Sequence, residues 1–290
     1  MNVTAMVVAV LAMVALGTSL SVILAVANRR LYVAEDPRID RVEDMLPGSN
    51  CGACGQPGCR AFAEELVGGQ VQPGNCTVSS EDQREAIAGL LGVDVGGDEK
   101  QVARLACAGG TNVARQRARY EGLSTCRAAN LVAGGGKGCA WGCLGLADCM
   151  EVCDFDAITM NAFSLPVVDE GLCTACGDCV EICPKGLFSL QPVSRHLWVA
   201  CKNEAFGDEA EAECEVACNA CGRCAADAPE GVVSIINNLA RVDYSKNDRT
   251  TPDAIQRCPT GAIVWLDTHQ GVLKGRQAKR IVRHSPLPVG

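Results

Sequence analysis

The sequence predicts an α+β protein: a single N-terminal transmembrane helix followed by several small cysteine-rich modules. Three observations support this fold class. No charged residue occurs from Val3 to Ala27, twenty cysteines are grouped at short spacings, and residues 123–190 align without a gap on residues 198–265. The last observation indicates an internal repeat. A chain of 290 residues with 48% hydrophobic residues is long enough for two or three small domains and too apolar for wholesale disorder.

The N-terminal apolar segment is long enough to cross a bilayer. As an α-helix, residues 3–27 would extend about 37 Å, compared with about 30 Å of hydrocarbon. A cleaved signal peptide is the alternative, because "AVA" at residues 25–27 resembles a cleavage site. However, no basic region precedes the segment, and it exceeds the usual ~7–15 apolar residues. We therefore expect residues 1–30 to be an uncleaved anchor whose residues 3–27 contact the lipid bilayer.

Charged residues predict the location of the chain and limit its partners. Arg29 and Arg30 directly follow the anchor, which by the positive-inside rule places the bulk of a single-pass chain on the cytoplasmic side of the inner membrane. The net charge of -8 argues against nucleic acid as a partner. Basic residues concentrate in a C-terminal tail, residues 269–290, chiefly from Lys274 to His284. Two interpretations are open for this tail: a solvated or disordered terminus, or a docking surface for an acidic protein or anionic lipid.

The first cysteine-rich module, residues 31–92, contains four cysteines that predict one tetrathiolate site: Cys51, Cys54, Cys59 and Cys76. Disulfides are disfavoured in a reducing cytoplasm, but zinc would accept four thiolates as readily as an iron–sulfur cluster. Helices are expected over residues 60–67 and 81–91, the second with a capping box formed by Ser80 and Gln83. Residues 93–122 form a connecting segment, in which we expect a strand within residues 101–110 and a helix over residues 112–120.

The two repeats, residues 123–195 and 196–268, each look like a bacterial two-cluster ferredoxin. In that motif, C-x2-C-x2-C-x3-C-P, the fourth cysteine ligates the other cluster. The second repeat keeps one crossed set of four: Cys218, Cys221, Cys224 and Cys258. The other crossed set is absent as a whole, and its positions are Ala228, Asp248, Thr251 and Ala254. Loss of one complete set indicates iron–sulfur clusters in this repeat and, by association, in the first module.

The first repeat is fuller. One crossed set is complete: Cys153, Cys173, Cys176 and Cys179. The second set has Cys143, Cys149 and Cys183, but Leu146 stands where its fourth ligand is expected, and we expect Cys139 to substitute. The sequence therefore predicts four [4Fe-4S] clusters. Four cysteines remain unassigned, and they form either a fifth cluster or small buried apolar side chains: Cys107, Cys126, Cys201 and Cys214.

Short strands are expected around these motifs, because β-branched and apolar residues cluster between turn signals. The predicted strands are "DAITM", "LPVVDE", "GLFSL", "VVSII", "LARVDY" and "GAIVWL". Short helices are expected after the third cysteine of each motif. The glycine-rich segment "GGGKG", residues 134–138, lacks the second half of a P-loop and is predicted to be a flexible turn.

Together these motifs resemble the B subunit of the Rnf complex, a membrane-bound ferredoxin:NAD oxidoreductase that couples electron transfer to sodium or proton translocation. The resemblance is carried by the anchor, by "CGACGQPGCRAFAEEL" with the distant Cys76, by "GGGKGCAWGCLGLADCMEVCDFDAI" and by "CTACGDCVEICPKG". It implies that the chain accepts electrons from soluble ferredoxin and passes them to membrane partners. It also implies that nicotinamide chemistry occurs on a separate flavin-containing subunit. The half-emptied second repeat departs from the simpler family members.

The residues independently indicate an electron carrier. Clusters held by four thiolates have no open coordination position, so they transfer single electrons and bind no substrate. No dinucleotide-binding fingerprint is present, so we expect neither flavin nor NAD on this chain, and no complete active site. Two alternatives remain: an iron–sulfur adaptor of another membrane-bound reductase or hydrogenase, and a zinc-binding scaffold or redox sensor.

Overall fold

The computed structural model describes residues 3–31, 35–97, 99–267 and 270–290. The helices of this part of the chain are α1 (Val3–Leu31), α2 (Pro37–Met45), α3 (Cys59–Val67), α4 (Glu81–Leu91), α5 (Cys126–Leu131), α6 (Asp148–Glu151), α7 (Asp178–Ile182), α8 (Gly207–Glu213) and α9 (Arg223–Asp227). Its strands are β1 (Gln101–Leu105), β2 (Ile158–Met160), β3 (Pro166–Val168), β4 (Phe188–Pro192), β5 (Leu197–Val199), β6 (Val233–Ile236), β7 (Leu239–Val242), β8 (Ile263–Asp267) and β9 (Gly271–Leu273). The expected α+β class with one N-terminal apolar helix is confirmed.

Helix α1 has the length and composition of a membrane span. Its segment from Val10 to Leu31 covers 22 residues with a mean hydropathy of 2.4, and none of the segment is buried against the rest of the protein. The hydroxyls of Ser19 and Ser21 donate to the carbonyls of Ala15 and Gly17, at 2.7 and 2.8 Å. These polar groups are therefore satisfied within the helix, as an apolar environment requires.

The first module packs helices α2, α3 and α4 around a small core. Val42, Phe62 and Ile87 are almost completely buried in it, and Cys76 joins the same core. The predicted capping box is confirmed, because the Ser80 hydroxyl accepts from the Gln83 backbone N–H at 3.2 Å and the Gln83 side chain accepts in return. The helices thus hold the cysteine loop from both sides.

The two repeats share one topology. Hairpins β2–β3 and β6–β7 occupy corresponding positions, and β4 and β8 lie at the predicted offset. In the first repeat β4 pairs antiparallel with β1, and in the second β8 pairs antiparallel with β5. The sequence predicts β1 in the connecting segment, but its pairing makes it part of the first repeat. All six expected strands are confirmed, and they correspond to β2, β3, β4, β6, β7 and β8.

This pairing changes which cysteines correspond between the repeats. Leu105 pairs with Phe188, and Val199 pairs with Ile263, which is the equivalent residue of the second repeat. Cys107 and Cys201 each lie two residues beyond those strand positions, so they are structurally equivalent. The ungapped alignment matches Cys201 with Cys126 instead, because it does not account for the extra chain between β1 and Cys143.

The expected helix over residues 112–120 is wrong. Its backbone pairs with distant segments: the Arg115 N–H donates to the Glu213 carbonyl at 2.9 Å, and the Arg117 N–H donates to the Gly136 carbonyl at 2.7 Å. Arg117 also forms an ion pair with Glu213. The tertiary hydrogen bonds therefore replace the local bonds of a helix.

The basic tail is ordered against the second repeat. Its backbone bonds to the fold, since the Lys279 N–H donates to the Pro259 carbonyl at 2.8 Å. Gly275 is buried, and a Cβ there would lie 1.8 Å from the Ile255 carbonyl oxygen, so the close approach requires glycine. Lys279 and Arg283 both pair with Glu215, at 3.5 and 3.2 Å. The alternative of a disordered terminus does not hold for the described residues of the tail, and its boundary at 268–269 lies outside them.

The core of the second repeat should be sensitive to cavity formation. Leu197 is fully buried among the hairpin, β8 and the cysteines, whereas Ile236 in the same repeat is 52% exposed. We expect Leu197→Ala to lower the free energy of unfolding by about 2–5 kcal/mol, because the lost methyl groups leave a cavity. Anaerobic denaturant titration would measure the change, with Ile236→Ala as the control. Equal losses in the two variants would contradict this account of the core.

Candidate iron–sulfur sites

The cysteine-bearing half of the second repeat forms a thiol-lined cavity. Four cysteines line one small cavity of about 10 Å³: Cys218, Cys221, Cys224 and Cys258. Three of them belong to the buried core and Cys221 is exposed. Helix α9 begins immediately before Cys224, and the 3₁₀ turn Pro252–Ile255 leads to Cys258. The structure thus brings together the four residues that the crossed motif predicts.

In the second repeat, small apolar side chains occupy two of the positions where the absent ligand set would lie. Ala254 is fully buried, and Ala228 packs against the same core. Beside them the Arg257 guanidinium donates two hydrogen bonds to the Asp227 carboxylate, with Nε 2.8 Å from Oδ2. These bonds hold the pKa of Asp227 below its usual value. An ion pair and small side chains therefore connect the two halves where crossed ligands are absent.

The first repeat contains an equivalent cavity of about 20 Å³. It is lined by Cys153, Cys173, Cys176 and Cys179. The backbone N–H of Ala103 on β1 donates to the Cys173 sulfur at 3.4 Å, so the strand closes one side of the site. Burial raises the pKa of Cys179 to about 12, and the neighbouring thiols of Cys173 and Cys176 contribute to the rise. Four thiolates without a cation would be unfavourable here, and bound metal would displace the protons.

Cys126 lies beside the second group of the first repeat, whereas Cys139 lines a separate cavity with Cys107, Cys201 and Cys214. Burial raises the pKa of Cys149 to about 12, followed by the effect of the neighbouring thiols of Cys126 and Cys183. Burial also raises the pKa of Cys126, which is opposed by hydrogen bonds from the backbone N–H groups of Asp148 and Leu146. The sulfur of Cys126 therefore approaches the position of Leu146, where the motif lacks its ligand.

Helix α5 presents Cys126 to this group. The Cys126 backbone N–H donates to Asp148 Oδ1 at 2.8 Å, which fixes the start of α5 beside Cys149. Cys143 lies between two groups of thiols: burial raises its pKa to about 12, and the neighbouring thiols of Cys107 and Cys126 contribute. The structure thus places Cys126 near Cys143, Cys149 and Cys183.

The first module brings its four cysteines towards one centre. Cys76 is buried in the core, and Cys54 and Cys59 pack against that core. Burial raises the pKa of Cys54, and the nearby thiols of Cys76 and Cys51 add to this. The Cys59 N–H donates to Asn50 Oδ1 at 2.8 Å, and the Ser79 hydroxyl donates to the Cys76 sulfur at 3.1 Å.

The remaining cysteines lie around a third cavity, also of about 20 Å³. Its thiols are Cys107, Cys139, Cys201 and Cys214. In the described part of the chain, no three His, Cys, Asp or Glu side chains lie close enough together to hold a single metal ion. Tetrathiolate sets of this kind suit a polynuclear iron–sulfur cluster.

Comparison with known proteins agrees with this chemistry. Residues 46–78 match the family described as "Putative Fe-S cluster", and residues 165–188 match the "4Fe-4S binding domain" family. The chain is 43% identical to the B subunit of the Na(+)-translocating ferredoxin:NAD(+) oxidoreductase complex of Acetobacterium woodii, over 83% of this chain and 72% of the relative. It is 37% identical to the B subunit of the proton-translocating complex of Clostridium ljungdahlii, over 91% and 93%. The B subunit of the ion-translocating oxidoreductase complex of Methanosarcina acetivorans is 33% identical, over 80% and 88%.

The chain belongs to the family of Rnf B subunits. Members of this family from Cereibacter sphaeroides and Citrobacter koseri match over only about a third of the chain, at 42% and 39% identity. The relatives from Acetobacterium, Clostridium and Methanosarcina match over four fifths of it or more. The expected resemblance to the Rnf B subunits is therefore confirmed over most of the chain.

Sequence reasoning missed the partners of two cysteines in this Rnf protein. Cys126 lies 17 residues before Cys143, and no motif spacing connects it with Cys149. The sequence signal that could have identified Cys126 is Leu146. Leu146 stands where a cysteine ligand is expected, and an unassigned cysteine in the same repeat is a candidate to replace that ligand. Proximity in sequence favours Cys139 for that role, but the turn after residue 136 directs Cys139 to the third cavity.

Proposed function

We propose that this chain takes electrons from reduced ferredoxin and relays them to membrane partners of an ion-translocating ferredoxin:NAD oxidoreductase. The observation that carries the proposal is the set of separate tetrathiolate sites in a chain whose described residues include one span-length helix. The family supports it, because its relatives are named as subunits of such complexes. The soluble part lies on the cytoplasmic side, and other membrane and flavin-containing subunits complete the complex.

Four sites hold [4Fe-4S] clusters in this proposal. The first module, the second repeat and the Cys153 group keep their predicted ligands, and the last site uses Cys126, Cys143, Cys149 and Cys183. When bound, such a cluster supplies one-electron redox chemistry. The four thiolates of each set would supply one ligand to each iron, and the surrounding apolar side chains would limit the access of water.

Contacts between neighbouring sites support a linear arrangement of the relay. The Thr77 hydroxyl, next to Cys76, donates to the Thr174 carbonyl, next to Cys173, at 2.5 Å. The Cys149 and Cys179 thiols interact across the first repeat, because the charge of one raises the pKa of the other. The first module is therefore adjacent to the Cys153 group, which is adjacent to the Cys126 group. With clusters bound, each transfer would oxidise one site by one electron and reduce its neighbour by one.

The test is reconstitution with the native partner subunits. The complex with this chain should reduce NAD with electrons from reduced ferredoxin, and the complex without it should lose that activity. As a control, both preparations should oxidise NADH with an artificial acceptor, since nicotinamide chemistry occurs on another subunit. Undiminished ferredoxin-dependent NAD reduction without this chain would contradict the proposal.

The first module offers a test of how the protein tunes a site. The Ser79 hydroxyl, which is buried, stabilises negative charge on the Cys76 sulfur, and the reduced site carries more of that charge. We expect Ser79→Ala to lower the reduction potential of this site by about 20–60 mV, the equivalent of roughly 0.5–1.5 kcal/mol for one electron. EPR-monitored redox titration would measure the shift. The exposed Ser49→Ala is the control, and equal potentials in all three proteins would contradict the role of Ser79.

A further inference from the structure

The third cavity lies where the two repeats meet. Cys107 follows β1 of the first repeat, and Cys201 follows β5 of the second, so these two ligand positions are related by the repeat itself. Cys139 comes from the segment before Cys143, and Cys214 comes from the end of α8. The cavity is therefore built equally from both repeats.

The cavity matches the two predicted sites in size and in donors. Its volume of about 20 Å³ compares with about 20 and 10 Å³ for the cavities of the Cys153 and Cys218 groups. The described cysteines divide without remainder into five groups of four once this set is included. Four unrelated apolar cysteines would have no reason to converge on a space of that size.

Donors in the cavity wall are directed at the sulfurs. Asn203 is 2% exposed, its side-chain amide donates to the Cys139 sulfur at 3.6 Å, and its backbone N–H donates to the Cys201 sulfur at 3.4 Å. A Cβ on Gly109 would lie 3.0 Å from the Cys214 sulfur and 3.7 Å from the Cys107 sulfur. Glycine therefore leaves room for these thiols beside each other.

The glycine-rich turn supplies a positive charge to the same cavity. Gly134, Gly135 and Gly136 all have positive φ, and they place Lys137 on the cavity wall. The Lys137 ammonium is held by the carbonyls of Gly109 and Cys143, both at 2.6 Å. A fixed cation beside four thiolates offsets part of their mutual repulsion. The "GGGKG" segment, which lacks a complete P-loop motif, therefore has a different role, which is to position the Lys137 cation in this cavity.

Single hydrogen bonds connect the cavity to the sites on either side. The Cys143 backbone N–H donates to the Cys107 sulfur at 3.4 Å. On the other side, the Cys218 backbone N–H donates to the Cys201 sulfur at 3.3 Å. The third cavity is therefore adjacent to a site of the first repeat and to the site of the second.

We propose that Cys107, Cys139, Cys201 and Cys214 together hold a fifth four-iron cluster, which joins the site of the second repeat to those of the first. The proposal rests on the proposed function for the identity of the bound group as an iron–sulfur cluster. The position of this fifth site follows from the cavity and from the contacts of the cavity with the neighbouring sites. The sulfurs of Cys107 and Cys201 provide the links to Cys143 and Cys218. The order of sites then runs without interruption from the first module to Cys258.

The test is metal analysis of the full chain, purified anaerobically. The wild type should contain about twenty iron atoms and about twenty acid-labile sulfides per chain, and Cys214→Ala about sixteen of each. The EPR spin count of the fully reduced variant should fall by about one per chain. Val216→Ala, which alters the same cavity wall without removing a thiol, is the matched control and should retain about twenty iron atoms.

Other results would overturn the proposal. About sixteen iron atoms in the wild type with no change in Cys214→Ala, or one zinc atom in place of the missing four iron atoms, would overturn the fifth site and leave the proposed function standing. A chain with no iron would overturn both. If Cys214→Ala does not accumulate, the wild-type count decides between about twenty and about sixteen.

Discussion

Replacement of Cys258 by alanine is expected to remove about four iron atoms per chain and to leave the sites of the first repeat intact. Cys258 faces the same cavity as Cys218 and Cys224, although it comes from the other half of the repeat. The remaining three thiolates would leave one iron without a protein ligand. Iron quantification and EPR of the reduced protein would measure the loss.

Thr251 provides the matched control for this variant. It occupies a position of the absent ligand set, at the start of the 3₁₀ turn that leads to Cys258, and its side chain makes no cap hydrogen bond. Thr251→Ala should therefore retain the full iron content. The opposite result would be loss of the EPR signals of the Cys153 group in Cys258→Ala, with those of the Cys218 group preserved. It would show that Cys258 does not ligate the same site as Cys218.

Removal of residues 1–31 is expected to transfer the chain from the membrane fraction to the supernatant. The span in α1 has no part buried against the rest of the protein, so its apolar side chains are free to contact lipid. The truncated chain should keep its iron content, because every cysteine lies beyond the deletion. Fractionation after expression without partner subunits would test this.

The control for the truncation keeps the helix and changes only its flank. Arg29→Gln with Arg30→Gln should stay in the membrane fraction, because the apolar length is unchanged. A truncated chain that still sediments with membranes in the absence of partners would contradict the role of α1 as the anchor.

Local patterns predicted those parts of the fold whose interactions are also local. The capping box of Ser80 and Gln83 and the hairpins around residues 158–168 and 233–242 depend on neighbours in sequence, and the structure contains all of them. The helix expected over residues 112–120 failed because Glu213 and Gly136, both distant in sequence, take its backbone hydrogen bonds.

The same difference between local and long-range interactions explains which candidate sites could be predicted from the sequence. The Cys153 and Cys218 groups follow a motif with fixed spacings, so sequence alone was enough to place them in one cavity each. Cys126 and Cys139 lie in an insertion between β1 and Cys143, and only the folded turn at residues 133–136 shows that one faces Cys149 and the other faces Cys201. No spacing rule predicts the group of Cys126, Cys143, Cys149 and Cys183, because its members come from three separate segments of the chain.

The crossed arrangement of Cys258 also has a consequence for biogenesis. During synthesis the ribosome releases Cys218, Cys221 and Cys224 before Cys258, so the quartet can be completed only after the second half of this repeat has been made. An iron–sulfur cluster at this site would therefore be assembled after the two halves of the repeat have folded together, and not while the first three cysteines emerge.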